Sequence, residues 1–264
     1  MPVAIFNNQG GADAAALKRF GEPAWNNPVV RFLDGEGHDL IPRREGVWSE
    51  AAVVDRIVAA LEAARCRAPR WLELARIGLR PTDPQRAVFT MPCFWEGQQR
   101  LGALDGVIDA RPGFLEGREV VDVQFDGARV KLADLARRAG EMECASAIHV
   151  ARTADLDVLP GSLRERARVL DGDVRPAGPG DDLRRLKAAR DYDLLPLTRA
   201  QAVRANAELA ASGSVRAGTL TPRQEELRRR IAAADSGRFA GLVRPEAALD
   251  LARHEAEVRA RLDG

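Results

Sequence analysis

Cys93 lies where an apolar strand pattern gives way to a helical pattern. The run AVFTM at 87–91 has strand character, and the stretch 97–104 has helical character. A thiol in the first turn of a helix lies beside unpaired backbone N–H groups and the positive end of the helix dipole, and both favour the thiolate. The pattern therefore predicts a nucleophile at Cys93. A buried core thiol is the alternative interpretation.

Four landmarks around this cysteine, taken in order, resemble class A methionine sulfoxide reductases. PCFWE at 92–96 resembles the family's Gly-Cys-Phe-Trp-Gly, which follows a strand. DGV at 105–107, followed by GFLEG at 113–117, is similar to the family's Pro-Gly-Val and Gly-Tyr-x-Gly-Gly. GREVVDVQFD at 117–126 is similar to Gly-His-Ala-Glu-Val-Val-x-Val-x-Tyr-Asp, and a helix is predicted next, at 132–139.

This resemblance implies roles for individual residues. Cys93 would attack the sulfoxide sulfur and become a sulfenic acid that a second thiol must reduce. Glu119 would hydrogen-bond and protonate the sulfoxide oxygen, and the rings of Phe94 and Trp95 would pack around the substrate methyl group. The structural alternatives are a strand-face charge for Glu119 and ordinary core packing for the two aromatic residues.

Several positions depart from the family pattern. Pro92 replaces the glycine before the cysteine, and Phe114 replaces a tyrosine, so that Phe114 would line the substrate site without a hydroxyl. The family's His-Asp-Pro-Thr is replaced by ECAS at 143–146, in which Cys144 could return to Cys93 as a resolving thiol. Tyr192, the one tyrosine in the sequence, is a candidate second donor to the sulfoxide oxygen.

These departures leave two classes of function open. The first is a thiol-dependent oxidoreductase that acts in protein repair, with methionine sulfoxide in peptide or free form as its substrate. It would bind no cofactor or metal and would depend on an external thiol reductant, such as a thioredoxin-like protein or dithiothreitol. The second is a degenerate domain that acts in thiol–disulfide exchange or as a non-catalytic protein-binding scaffold.

The region before this core has its own pattern. Its predicted order is a strand at 3–6, a helix at 12–20, a hairpin of strands at 28–33 and 39–41, and a helix capped by Ser49.

Pro28 begins the second of these strands, either as the first residue of an edge strand or in the place of the cis-proline of a thioredoxin fold. The stretch GEPAWNNPVVRFLDGEGHDLIPR resembles a selenoprotein family whose thioredoxin-like domain carries a Val-Pro-Gly-selenocysteine motif upstream. The redox helix of that domain is not in this sequence. We therefore expect an in-frame selenocysteine codon upstream that was read as a stop.

These segments predict an α/β (α+β) protein. A partial thioredoxin-like unit at 1–66 is followed by a linker at 67–86, rich in arginine and proline. A ferredoxin-like α/β roll of the methionine sulfoxide reductase A type is expected at 87–195, and a tail of solvated helices at 196–264. Residues 151–190 have little periodicity and predict an extended or mobile loop.

Composition excludes some other classes of function. The chain has 264 residues, of which 45% are hydrophobic and 30% charged, and its formal net charge is +1. This balance creates no global field for nucleic acid or an anionic membrane, and no apolar run is long enough for a membrane span. With no export signal at its N-terminus, we expect a cytoplasmic protein. The three cysteines and three histidines show no zinc spacing, and Cys66, at the end of a helix, has no assigned role.

Overall fold

The chain forms two compact units, Met1–Ala68 (unit 1) and Pro69–Gly264 (unit 2). The structure is a computed structural model that describes residues 3–23, 28–245 and 250–263. Both units combine helices with strands, so the predicted mixed α/β class is confirmed.

In the described part of unit 1, one helix precedes and one follows a short antiparallel sheet along the chain. The elements are α1 (Ala12–Phe20), β1 (Val29–Val30), β2 (Arg44–Glu45) and α2 (Glu50–Ala63). The predicted cap of α2 is present: the hydroxyl of Ser49 accepts a hydrogen bond of 3.2 Å from the N–H of Ala52.

The strands of unit 1 are shorter than predicted. Residues 3–6 form no strand and are exposed, and no described strand pairs with them, so extended backbone there has no hydrogen-bonding partner. The predicted hairpin is reduced to a bridge between Leu33 and Asp39. Pro42 follows it and cannot donate a ladder hydrogen bond, and β1 pairs instead with β2, beyond the proline.

Pro28 directly precedes β1, in agreement with the edge-strand interpretation, and its carbonyl oxygen accepts a hydrogen bond of 3.0 Å from the N–H of Gly46. The cis-proline interpretation depends on the bond from Asn27, which lies outside the described residues.

Unit 2 is built on a mixed sheet with the strand order β7-β6-β3-β5-β4-β8. Its strands are β3 (Pro84–Thr90), β4 (Val107–Leu115), β5 (Arg118–Asp126), β6 (Ala147–Val150), β7 (Ala167–Val169) and β8 (Arg175–Pro176). Neighbouring strands are antiparallel except β6 and β7, which are parallel.

Helical crossovers connect the inner strands of this sheet. Helix α4 (Phe94–Gly102) joins β3 to β4, with β5 between them in the sheet, and helix α5 (Leu132–Glu141) joins β5 to β6, with β3 between them. Strands β4 and β5 form a hairpin whose two turn residues, Glu116 and Gly117, have positive φ values of 51° and 76°.

The faces of the sheet are buried unequally because strand side chains alternate. On β3, Phe89 points into the main core with Leu101 of α4 and Leu135 of α5, whereas Val88 joins a smaller cluster with Val120. Both crossover helices therefore cover the same face of the sheet.

The stretch predicted as a linker is mostly structured. It contains helix α3 (Arg70–Leu79), which buries Leu72, Leu74 and Ile77, and it ends inside β3. The arginines and prolines of this stretch predicted a linker. The apolar residues at 72, 74 and 77 lie among them and pack within unit 2, and this tertiary packing outweighs the local preference.

The C-terminal region is also part of unit 2 and not a solvated tail. Helix α10 (Arg199–Ser212) begins with a capping box of Thr198 and Gln201 and is buried from Ala200 to Glu208. It packs on α3, α4, β4 and the short helix α8 (Arg184–Ala188). Helix α11 (Pro222–Ala233) has a similar capping box, and α12 (Leu251–Asp263) follows. In the sequence, the proline at 245 followed by the glutamate at 246 predicts the start of this last helix, and residue 246 lies outside the described ranges.

Residues 151–190, predicted as a loop, contain short elements. They are α6 (Ala154–Asp157), α7 (Gly161–Arg164), strands β7 and β8, and α8 (Arg184–Ala188), and α9 (Arg190–Asp193) follows. Each is too short to give a periodic signal in the sequence.

Candidate thiol site

Cys93 is the N-cap residue of α4 and is half-buried. Strand β3 ends three residues earlier, at Thr90, and Cys93 has the extended backbone of an N-cap, with φ −142° and ψ 107°. Its side chain makes no capping hydrogen bond. The thiol therefore stands at the helix end where backbone N–H groups and the dipole stabilise a negative charge.

Glu119 reaches the same helix end from the second residue of β5. Its backbone carbonyl accepts a hydrogen bond of 3.1 Å from the N–H of Met91, and its carboxylate Oε2 accepts one of 2.7 Å from the N–H of Phe94. Glu119 thus caps α4 at the residue next to Cys93. The structure brings together these two residues, which the sequence separates by a helix and a hairpin.

The aromatic residues predicted to line a substrate site form one cluster. The ring of Phe94 lies 5.5 Å from that of Trp95, and 5.4 Å from that of Phe114 in an edge-on arrangement, both measured between centroids. Phe94 is buried, whereas Trp95 and Phe114 are partly exposed. The partly exposed Trp95 and Phe114 therefore form an apolar surface around Phe94, the residue after Cys93.

Cys144 is buried just after α5, and its thiol donates a hydrogen bond of 3.4 Å to the carbonyl oxygen of Met142. Burial raises the pKa of Cys144; the charge of Arg100 lowers it, and a negative charge on Cys93 raises it further. Cys93 and Cys144 are therefore within electrostatic reach. All three cysteines are free thiols.

The ladder between β3 and β6 explains this proximity. Its last pair joins Thr90 to Ala147, and the N–H and hydroxyl of Ser146 both donate hydrogen bonds of 2.9 Å to the carbonyl oxygen of Thr90. Cys93 lies three residues after Thr90 and Cys144 three residues before Ala147, so both cysteines lie just beyond the same end of this ladder.

The structure does not bring Tyr192 to this site. Tyr192 lies in α9, and the guanidinium of Arg228 stacks 5.1 Å from its ring centre. No described contact joins Tyr192 to Cys93 or Glu119. Tyr192 was a candidate second donor to the sulfoxide oxygen because it is the sole tyrosine in the sequence. Residue type alone gives no information about where a side chain lies in the fold.

A polar network that the sequence analysis missed supports the site helix. Gln98 of α4, only 1% exposed, donates hydrogen bonds of 2.7 Å to the carbonyl oxygen of Ala110 and of 2.6 Å to Asp182, and it accepts one of 3.0 Å from the N–H of Leu183. Gln98 lies four residues after Phe94 and three before Leu101, on the buried face of α4. This helical spacing was the one feature of the sequence that could have indicated its burial.

Arg199 completes this network from the first residue of α10. Its guanidinium donates hydrogen bonds of 2.6 and 2.9 Å to Asp182 and of 2.6 Å to Asp109. Burial alone would raise the pKa of Asp182, but the hydrogen bonds and charge of Arg199 hold that pKa below its usual value. The residues that follow Asp182 are thereby fixed against α4.

Other features lie away from the thiol site. A cavity of about 450 Å³, lined by Pro81, Pro84 and Arg86 among others, is at the opposite end of β3. In unit 1, Cys66 is exposed, and Asp34, Glu36 and His38 form an exposed group of possible metal ligands on one turn. Among the described helices, none has both the length and the apolar character of a membrane span.

Comparison with known proteins gives no independent assignment: no protein-family model matches the chain, and no curated protein matches its sequence.

Proposed function

We propose that unit 2 is a thiol-dependent oxidoreductase that reduces a sulfoxide, with Cys93 as the nucleophile. The observation that carries the proposal is the shared helix end: Cys93 is the N-cap of α4, and Glu119 accepts a hydrogen bond from the adjacent N–H of Phe94. This pairs a thiol in a thiolate-stabilising position with a carboxyl group beside it.

The strand order also supports this proposal. The sequence β3-α4-β4-β5-α5-β6, with the order β6-β3-β5-β4 in the sheet, is that of a ferredoxin-like split β-α-β arrangement. A fold of this kind is what the resemblance to class A methionine sulfoxide reductases implies for this region. The fold alone does not specify chemistry, so the thiol site carries the argument.

The proposed reaction has three steps. The Cys93 thiolate attacks the sulfoxide sulfur; the oxygen takes a proton and passes to the cysteine, which yields a thioether and a Cys93 sulfenic acid. The Cys144 thiol then condenses with the sulfenic acid, releasing water and forming a disulfide. An external dithiol reduces this disulfide and becomes oxidised in its place.

In this scheme Glu119 supplies the proton. One carboxylate oxygen, Oε2, is occupied by the helix N–H, and no described residue hydrogen-bonds to Oε1. A proton carried on Oε1 would be available to a sulfoxide oxygen beside Cys93. The exposed parts of Trp95 and Phe114 would hold the methyl group of the substrate.

Thiol–disulfide exchange is the second candidate function, and the approach of Cys144 to Cys93 favours it. It needs the same two thiols but no proton transfer to a sulfoxide oxygen. Glu119 would then act only as the cap of α4.

The experiment is turnover of methionine-S-sulfoxide by the full chain with dithiothreitol as reductant. We expect activity that is lost in Cys93→Ser, and that falls by about a hundredfold in Glu119→Gln, the size of a general-acid contribution. Cys66→Ser, which removes an exposed thiol of unit 1, is the matched control and keeps full activity. A folded, active Cys93→Ser protein would refute the proposal. Disulfide reduction without sulfoxide turnover would establish the second candidate.

A further inference from the structure

Two arginines stack on the outer rings of the aromatic cluster beside Cys93. The guanidinium carbon of Arg175 lies 4.4 Å from the ring centre of Phe114, and that of Arg184 lies 4.3 Å from the ring centre of Trp95. Both distances are well within the range of a cation–π contact. Both arginines are exposed, so their outer faces are open to solvent.

Different contacts position the backbone of each arginine. Arg175 is in β8 and pairs with Phe114 of β4. The strands approach closely because residue 113 is glycine: a Cβ there would meet the carbonyl oxygen of Arg175 at 2.8 Å.

Arg184 follows the segment that the buried network fixes. Asp181 accepts a hydrogen bond of 3.1 Å from the indole N–H of Trp95, and Leu183 is hydrogen-bonded to Gln98. The backbone around each arginine is therefore held by contacts other than the stacking of its side chain on the ring.

Within the described part of the chain, neither guanidinium donates a hydrogen bond or forms an ion pair. Other guanidinium groups of unit 2 form ion pairs with carboxylates of the protein, as Arg199 does with Asp182.

The carboxylates around the cluster are already engaged with other groups. Glu96 pairs with Arg100, Glu119 accepts from the N–H of Phe94, and Asp181 accepts from Trp95. Two planar guanidinium groups on the aromatic cluster thus face solvent without an acceptor among the described residues.

We propose that Arg175 and Arg184 bind a carboxylate of the substrate, so that the site selects anionic sulfoxides. This inference rests on the proposed function of Cys93. A guanidinium donates two parallel N–H groups in the geometry that a carboxylate accepts, and its stacking on an aromatic ring pre-organises the fork.

Two kinds of substrate carry such a carboxylate. One is the α-carboxylate of free methionine sulfoxide, and the other is an aspartate or glutamate beside an oxidised methionine in a peptide. Each arginine stacks on a ring that contacts Phe94, the neighbour of Cys93. An extended chain advances about 3.3–3.6 Å per residue, so in a peptide the proposed carboxylate belongs to a residue close to the oxidised methionine.

The first measurement needs no catalysis. Alkylation of Cys93 by iodoacetate, which is anionic, is compared with alkylation by neutral iodoacetamide, in the full chain carrying Cys66→Ser and Cys144→Ser. The ratio of the two rates cancels the intrinsic reactivity of the thiol. We expect this ratio to fall about threefold for Arg175→Gln and again for Arg184→Gln, the size of an exposed charge interaction, and to be unaffected by Arg216→Gln.

High salt concentration and lysine substitutions distinguish the effect of the arginine charge on the ratio from the effect of side-chain shape and packing. Raising the salt to about 1 M shortens the Debye length to about 3 Å and removes most of the difference between the wild-type chain and the glutamine variants. Arg175→Lys and Arg184→Lys keep the charge but lose the planar fork and its stacking on the ring, so their ratios should lie between those of the wild-type chain and the glutamine variants. A ratio unchanged in the double glutamine variant, or lysine variants that match the wild-type ratio in full, would overturn the proposal.

The second measurement identifies the source of the carboxylate. Turnover of free methionine sulfoxide is compared with turnover of its amide, and a blocked peptide with glutamates on both sides of the oxidised methionine with its lysine counterpart. A preference for the free acid or for the glutamate peptide, lost in the double variant, supports the proposal and names the source. Equal turnover of all four substrates would overturn it. Absence of all turnover would count against the reductase function alone, because the alkylation ratio tests the arginines independently.

Discussion

Cys93 and Cys144 each lie three residues beyond the same antiparallel pair, Thr90 and Ala147, at the end where β3 and β6 separate. Cys93 then begins α4, whereas Cys144 is buried at the end of α5. A charge on Cys93 raises the pKa of Cys144, so the fold brings two thiols that are 51 residues apart in the sequence within electrostatic reach of one another.

We expect mild oxidation to join these two cysteines. Treating the full chain with one equivalent of hydrogen peroxide should give an intramolecular Cys93–Cys144 disulfide, identified by non-reducing peptide mapping. The control Cys66→Ser should give the same product, because Cys66 is exposed in unit 1. A wild-type chain that accumulates only an unpaired Cys93 sulfenic acid would contradict this expectation.

Burial of Cys144 predicts a pH-dependent contribution to stability. Its folded-state pKa is raised above the ordinary value of 9.0, so the folded state keeps the thiol proton at a pH where the unfolded state loses it. The contribution is complete below the unfolded value and is lost as pH rises through the folded value. The free energy of unfolding should therefore fall more steeply as pH rises above about 8 for the wild-type chain than for Cys144→Ala. Cys66→Ala should keep the wild-type slope.

Arg199→Met should strongly destabilise unit 2. The substitution removes the cationic partner of Asp182, whose side chain is only 17% exposed, and a partnerless buried charge costs about 3–5 kcal/mol. Denaturant unfolding measures the loss. Adding Asp182→Asn to this variant removes the stranded charge and should restore part of the stability; no restoration would mean that Arg199 acts through packing.

Gly113→Ala should displace β8. The added methyl group would meet Val174 at 2.7 Å and the carbonyl oxygen of Arg175 at 2.8 Å, and overpacking of this kind costs about 1–3 kcal/mol. Gly180→Ala is the matched control, because a Cβ there meets no atom within 4 Å. Thermal unfolding should show a lower Tm for the first variant only. Equal Tm values would contradict the close approach of β8 to β4.

Glu119 has a structural role that can be separated from its proposed chemistry. Glu119→Gln keeps an oxygen that accepts from the N–H of Phe94, whereas Glu119→Ala removes the cap and should cost about 0.5–2 kcal/mol. Denaturant unfolding of both variants checks this. If the glutamine variant is as unstable as the alanine variant, the charge on Glu119, and not its acceptor oxygen, stabilises α4.

Local pattern predicted the elements around Cys93 well. The change from strand to helix located Cys93 at the start of α4, and the helix predicted at 132–139 is α5. These predictions succeeded because strand and helix periods are properties of neighbouring residues. The shared position of Cys93 and Glu119 came from the family resemblance and not from periodicity.

Contacts between distant segments were not predictable in this way. Nothing near Arg199 in the sequence indicates that its partners are Asp109 and Asp182, and nothing near α3 marks its apolar residues as buried against α10. Residue type alone suggested a role for Tyr192, and its described ring contact is with Arg228 and not with Cys93 or Glu119. In unit 1, the predicted strands lacked neighbours that could extend them.

The burial of α10 has a consequence for synthesis of the protein. Arg204 of α10 donates a hydrogen bond of 2.8 Å to the carbonyl oxygen of Leu104, just beyond α4, across 100 residues of chain. During translation, the β3–β6 segment therefore emerges from the ribosome well before the helix that covers α4. The thiol site must stay incompletely packed during that interval, and its cysteine is open to oxidants and to chaperones until the last third of the chain arrives.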